Sequence, residues 1–120
     1  MNQASSAPVH GHPCENILLD FDSWQFDPQA EYFYFCQNES IDGVEYDQRL
    51  MRRMFDKVKE KTGPDTIIVS DMSSALGSRD LSREELWQDF GVIIAGAQKN
   101  FGTSGLTFLV VREDVIDKVK

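Results

Sequence analysis

The first 48 residues contain no lysine or arginine. Nine acidic side chains fall in the same stretch, and the chain of 120 residues carries a formal net charge of −8. Because an acidic surface repels phosphate groups, nucleic acids and membrane surfaces are not expected as partners. The start of the chain also lacks the basic residues of a mitochondrial transit peptide or a secretory signal, so we expect a cytoplasmic location.

Long apolar runs and clustered cysteines are missing as well. The runs "GVIIAGA" and "LTFLVV" are far shorter than the roughly 20 residues that cross a bilayer, so no membrane segment is expected. Cys14 and Cys36 lack the spacing of metal ligands and are expected to be free thiols. His10 and His12 have no further ligand cluster beside them, so we expect no metal site.

The composition is that of one globular domain, with 41% hydrophobic and 27% charged residues. Residues 1–16, rich in Ser, Pro, His and Gly, are expected to be a flexible N-terminal segment. Amphipathic spacing predicts a helix over 47–61 that ends at "TGPD". The stretch "SREELWQD" (82–89) predicts a second, short helix capped by Ser82.

Short apolar segments between these helices predict strands. Near-continuous apolar strands separated by helical patterns indicate a sheet covered on both faces, so we expect an α/β fold. A further helix is expected to begin near Arg112. The predicted strands are "NILLDF" (16–21), "AEYFYFC" (30–36), "TIIVS" (66–70), "GVIIA" (91–95) and "LTFLVV" (106–111).

Polar side chains follow three of these strands. Ser40 follows the aromatic strand, Asp71 follows "TIIVS", and Gln98 and Lys99 follow "GVIIAGA". Ligands of such sheets bind at the carboxyl ends of the strands. An aspartate and a lysine placed there fit an ion pair or two solvated loop residues. They also fit a pyridoxal phosphate site, in which the lysine amine attacks the cofactor aldehyde and the ionised acid holds the ring nitrogen protonated.

Three longer segments resemble the phosphoserine aminotransferase family, in the same order along the chain. They are "NESIDGVEY" (38–46), "SDMSSALGSR" (70–79) and "FGVIIAGAQKNFGTSGLTFLVVRED" (90–114). The resemblance covers about residues 20–120. It implies that residues 17–120 are part of the large pyridoxal-phosphate-binding domain of a fold type I aminotransferase, a three-layer α/β/α domain with a mostly parallel sheet. The small C-terminal domain is absent, so the chain is expected to be truncated.

The resemblance also implies an activity and roles for individual residues. Such enzymes exchange an amino group between glutamate and 3-phosphohydroxypyruvate in serine biosynthesis, and they act as homodimers. By matching motif, Lys99 is the catalytic residue that forms a Schiff base with pyridoxal phosphate. Asp71 is then the partner of the ring nitrogen, and Ser40 and Gln98 are further cofactor contacts. Family members usually have threonine in place of Ser40, and this change keeps the hydroxyl.

The chain is roughly one third as long as family members, and the residues that bind the substrate phosphate and carboxylate have no match in it. We therefore expect the 120-residue chain to be inactive alone. Two alternatives stay open at this point. One is a non-catalytic remnant that pairs with intact subunits, and the other is a different class V aminotransferase.

Overall fold

The computed structural model describes residues 20–41, 43–78 and 85–118. The expected flexible segment 1–16 and the expected helix cap Ser82 lie outside these ranges. The strands are β1 (Tyr32–Cys36), β2 (Asn38–Glu39), β3 (Val44–Glu45), β4 (Ile67–Asp71), β5 (Phe90–Gly96) and β6 (Thr107–Val111). The α-helices are α1 (Gln48–Thr62) and α2 (Glu113–Asp117), and 3₁₀ helices cover Phe21–Ser23 and Glu85–Asp89.

Four strands form one sheet in the order β1-β4-β5-β6. β1 pairs with β4 and β4 with β5 in parallel, whereas β6 runs antiparallel to β5. β2 and β3 form a separate antiparallel pair directly after β1. The expected α/β fold with a mostly parallel sheet is confirmed.

The long helix α1 forms because its sequence supplies both ends and one apolar face. The side chain of Asp47 accepts a hydrogen bond from the backbone N–H of Leu50 at 2.7 Å, which caps the first turn. The helix ends at Gly63, whose φ of 109° suits a residue without a Cβ. The buried face of the helix consists of Met51, Met54, Phe55 and Val58.

The hydrophobic core lies between α1 and one face of the sheet. The ring centroid of Phe55 lies 5.6 Å from that of Phe35 and 5.4 Å from that of Phe90, in edge-to-face geometry. Ile68 and Ile93 are buried on the same face as these strand residues. The hydrophobic core therefore packs against one face of the sheet, and the described residues of the opposite face do not contribute to it.

The opposite face of the sheet carries Tyr32, Tyr34 and Leu109, all exposed. α2 approaches this face at the start of β5. A Cβ on Gly91 would lie 2.5 Å from Ile67 Cγ2 and 3.4 Å from Val115 Cγ2. Gly91 is therefore the point where β4, β5 and α2 meet without room for a side chain.

One local prediction is wrong and one element is additional. The short helix predicted over 82–89 is a 3₁₀ helix at residues 85–89. Phe21 belongs to a 3₁₀ helix and not to the predicted strand 16–21, whose residues 16–19 are outside the described ranges. The β2–β3 pair, which begins within "NES", had no signal in the apolar pattern.

Candidate functional site

The parallel strands β1, β4 and β5 end at the same edge of the sheet. Their register pairs Cys36 with Asp71 and Asp71 with Ile94. Backbone hydrogen bonds continue past the strands, from Gln37 N to Asp71 O at 3.0 Å and from Met72 N to Ile94 O at 2.8 Å. This edge is rigid because neighbouring strands hold it, and the loops that leave it carry the candidate side chains.

Asp71 is the last residue of β4 and is held by its own loop. Its Oδ1 accepts hydrogen bonds from the backbone N–H of Ser73 at 2.8 Å and from Ser73 Oγ at 2.6 Å. Its Oδ2 lies 3.3 Å from the hydroxyl of Tyr34, which donates from β1. The carboxylate is thus oriented by two hydrogen bonds to Oδ1 and one to Oδ2.

Lys99 lies in the turn that follows β5. The turn is closed by hydrogen bonds from Phe101 N and Gly102 N to Ala97 O, at 3.0 and 2.9 Å. Lys99 is exposed, and its Nζ donates to Ser40 Oγ at 3.0 Å, across 59 residues of sequence. The Lys99 side chain is therefore exposed beyond the end of the apolar run, and its amine contacts the hydroxyl of Ser40.

Gln98 folds back over the end of β5. A Cβ on Gly96 would lie 2.2 Å from Gln98 Oε1, so only glycine permits this position of the amide. The amide of Gln98 therefore lies at the same strand end from which the Lys99 turn begins.

The pKa directions at this edge show that the two opposite charges act on one group. Burial raises the pKa of the Cys36 thiol, and the nearby carboxylate of Asp71 raises it further. The ammonium of Lys99 acts in the opposite direction on the same thiol. Burial followed by the charge of Asp71 also raises the pKa of Tyr34. In the described part of the chain, Asp71 is hydrogen-bonded to Ser73 and Tyr34, and Lys99 to Ser40, rather than to each other.

The structure thus places Ser40, Asp71, Gln98 and Lys99 at one edge of the sheet, as the sequence led us to expect. Sequence reasoning missed Tyr34, Cys36 and Ser73. The alternation of β1 places Tyr34 and Cys36 on the same face of the sheet, and this signal was present in "YFYFC". The role of Ser73 depends on the turn after β4 and had no sequence signal.

Other kinds of site are not found at this edge. Among residues 20–41, 43–78 and 85–118, no three His, Cys, Asp or Glu side chains form a group that could hold a metal ion. No helix in those ranges is long and apolar enough to cross a membrane. A cavity of about 500 Å³ lined by Trp87, Phe90, Val110 and Arg112 lies at the opposite end of β5 from Lys99. It is separate from the candidate site.

Comparison with known proteins identifies the family. The model of the class-V aminotransferases matches residues 8–120, nearly the whole chain. This chain belongs to the class-V aminotransferase family. Two similar proteins also confirm the resemblance to phosphoserine aminotransferases that the sequence motifs indicated.

Both relatives carry the name phosphoserine aminotransferase. The protein of that name from Drosophila melanogaster is 43% identical over 99 residues, which cover 81% of this chain and 23% of the relative. The crystal structure of the pyridoxal-phosphate-bound enzyme from Trichomonas vaginalis matches with a TM-score of 0.59 and 35% identity, over 80% of this chain and 22% of that one. The chain thus spans about a quarter of the length of the class-V aminotransferases that it matches.

Proposed function

We propose that this chain forms part of the cofactor site of a pyridoxal-phosphate-dependent phosphoserine aminotransferase. The reaction exchanges an amino group between glutamate and 3-phosphohydroxypyruvate, giving O-phosphoserine and 2-oxoglutarate. The names of the two similar proteins support this substrate class, and one of them binds pyridoxal phosphate. The observation that carries the proposal is the contact of Lys99 Nζ with Ser40 Oγ at 3.0 Å, at the sheet edge where Asp71 ends β4.

The residues present at this edge fit the cofactor. The chain supplies an exposed amine, a carboxylate and a hydroxyl at neighbouring strand ends, and the absence of a side chain on Gly96 lets the Gln98 amide lie beside them. Pyridoxal phosphate, when bound, supplies an aldehyde that an amine attacks and a ring that stabilises negative charge at the substrate carbon.

Each side chain then has a distinct task. Lys99 provides the nucleophilic amine, and the same Nζ accepts and returns the proton of the substrate carbon. Asp71 holds the ring nitrogen in its protonated form, because a carboxylate beside a cation stabilises its charge. Ser40 and the amide of Gln98 hold polar atoms of the cofactor and so orient it.

The setting in the cell follows from the same proposal. We place the reaction in serine biosynthesis in the cytoplasm, with a homodimer as the active form. The 120-residue chain alone is expected not to catalyse the reaction, since no residues in it match those that bind the phosphate and carboxylate of the substrate.

Selective labelling tests the proposal without requiring turnover. The purified chain is mixed with pyridoxal phosphate and reduced with borohydride, and the pyridoxyl group is mapped by mass spectrometry. We expect the label at Lys99 and its loss in Lys99→Ala. The matched control is Lys61→Ala, which removes an exposed lysine of α1 and should leave the label at Lys99 unchanged.

A different distribution would contradict the proposal. If the label spreads evenly over Lys57, Lys59, Lys61 and Lys118, these amines react only as surface groups and the site does not assemble. Such a result would favour a non-catalytic role for the chain. Selective labelling combined with transfer to a different keto acid in the complete enzyme would instead assign another class V substrate.

A further inference from the structure

A hydrogen-bonded chain connects the two strand ends that carry Asp71 and Lys99. The backbone N–H of Gly96 donates to Ser73 Oγ at 3.0 Å, and Ser73 Oγ donates to Asp71 Oδ1 at 2.6 Å. Ser73 is half-buried at this point. One hydroxyl thus acts as acceptor from β5 and as donor to the carboxylate that ends β4.

The Ser73 hydroxyl accepts a hydrogen bond that a backbone carbonyl would accept if β4 were longer. β4 ends at Asp71, whereas β5 continues to Gly96. The last backbone bond between the two segments runs from Met72 N to Ile94 O. The N–H of Gly96 lies beyond that bond and is satisfied by Ser73 instead. Because a half-buried N–H needs a partner, this contact ties the start of the Lys99 turn to the aspartate.

The same contact distinguishes the two oxygens of Asp71. Oδ1 receives both hydrogen bonds from Ser73, at 2.6 and 2.8 Å. Among the residues that the structure describes, Oδ2 has only the longer contact of 3.3 Å with the Tyr34 hydroxyl, which can rotate away. A carboxylate held on one oxygen presents the other in a fixed direction.

We propose that Ser73 is a positioning residue that fixes Asp71 through Oδ1, leaves Oδ2 for the ring nitrogen of pyridoxal phosphate, and couples this geometry to the turn bearing Lys99. This inference rests on the function proposed above. Ser73 itself contacts neither substrate nor cofactor in this arrangement. Its effect is transmitted through Asp71 and Gly96.

The first measurement needs no cofactor. In the 120-residue chain, Ser73→Ala removes the acceptor of the Gly96 N–H, so hydrogen exchange of that amide, followed by NMR, should become about three- to tenfold faster. The matched control is Ser78→Ala, in which a serine of the same segment loses its bond to Ala75 O and no bond to Gly96 or Asp71. That control should leave the Gly96 exchange rate unchanged.

The second measurement follows the bound cofactor by its visible absorbance as the pH is varied. In Ser73→Ala, a ring nitrogen held less firmly carries less positive charge, so the pH midpoint of the absorbance change of the bound cofactor should move to higher pH. The dissociation constant of pyridoxal phosphate should also rise about three- to tenfold. A purely structural role for Ser73 would lower the melting temperature and leave the midpoint in place.

The outcomes separate this inference from the proposed function. If the chain takes up the cofactor at Lys99 but Ser73→Ala behaves like Ser78→Ala in exchange and in absorbance, the positioning role is overturned alone. If the unsubstituted chain fails to take up the cofactor at Lys99, the proposed function is overturned and the positioning role with it.

Discussion

Among single residues, Cys36 reports on both charges of the candidate site. Asp71 raises the pKa of this thiol, and Lys99 acts to lower it. Asp71→Asn removes a negative charge that disfavours the thiolate, so at about pH 8 alkylation of Cys36 by iodoacetamide should become about two- to fivefold faster. Lys99→Ala removes a positive charge that has a weaker influence on the thiol, so it should slow the reaction by a smaller factor. Mass spectrometry of the Cys36 peptide gives both rates.

The control for this pair of variants is Asp56→Asn, which removes an exposed carboxylate from α1. Its rate should equal that of the unsubstituted chain. A change of the same sign in Asp71→Asn and Lys99→Ala would show that the two charges do not both act on Cys36.

The sequence predicts some of the site residues and not others for a physical reason. Asp71 and Lys99 could be predicted because each comes shortly after an apolar run, and the carboxyl ends of parallel strands meet at one edge. The contact of Tyr34 with Asp71 depends on the pairing of β1 with β4, which are separated by α1 in sequence. Pairing register of this kind is a long-range property that no local pattern specifies.

At the level of secondary structure, Lys57 joins α1 to the 3₁₀ helix Phe21–Ser23. Its Nζ lies 2.6 Å from Asp22 Oδ1 and 2.9 Å from Glu60 Oε2. Hydrogen bonding to Lys57, and then its charge, lower the pKa of both carboxyls below their ordinary values of 3.8 and 4.5. The resulting stability is present above those values and is lost as the pH falls through the lower pKa values of the folded state.

Lys57→Met should therefore make the chain less sensitive to acid. We expect the melting temperature, followed by circular dichroism from about pH 6 to about pH 3, to fall less steeply than in the unsubstituted chain. Because Asp22 and Glu60 are exposed, the difference should be small and should shrink in high salt. Arg49→Met removes a charge from the same helix and should keep the original slope. An unchanged slope in Lys57→Met would contradict the prediction.

The bounds of α1 follow the sequence closely, whereas those of the 3₁₀ helices do not. α1 was predicted over 47–61 and spans Gln48–Thr62, because Asp47 and Gly63 mark its ends chemically. Residues 85–89 have a helical sequence pattern, but the segment is long enough for only one or two helical turns. Such a short segment takes the 3₁₀ form because packing against α1, including the 2.7 Å contact of Lys59 with Asp89, decides its geometry.

For the molecule as a whole, the decisive feature is that α1 covers one face of the sheet. Phe55 is 1% exposed on that side, whereas Leu109 on the other side is 62% exposed. Phe55→Ala should lower the free energy of unfolding by about 3 to 5 kcal/mol, since it removes a buried ring and leaves a cavity. Leu109→Ala should lower it by less than about 0.5 kcal/mol. Urea unfolding followed by circular dichroism measures both values.

A large loss in Leu109→Ala would show that the second face is covered in solution. Repeating the unfolding at several protein concentrations would then identify self-association as the cause, because the stability of an associated chain rises with concentration. The α/β class and the mostly parallel sheet could be predicted from the sequence. The uneven covering of the two faces could not, because apolar strands have the same composition whether or not a second layer is present.

The antiparallel return of β6 has a consequence for the reactivity of Lys99. The ten residues between β5 and β6 form a loop that connects two adjacent antiparallel strands. A hydrogen bond from the N–H of Ala97 to Leu106 O, at 2.9 Å, joins the two ends of this loop. A loop tethered so closely at both ends samples a small volume. In the proposed site, the amine of Lys99 would therefore stay at a high effective concentration beside the strand ends, and its attack on an aldehyde bound there would resemble an intramolecular reaction.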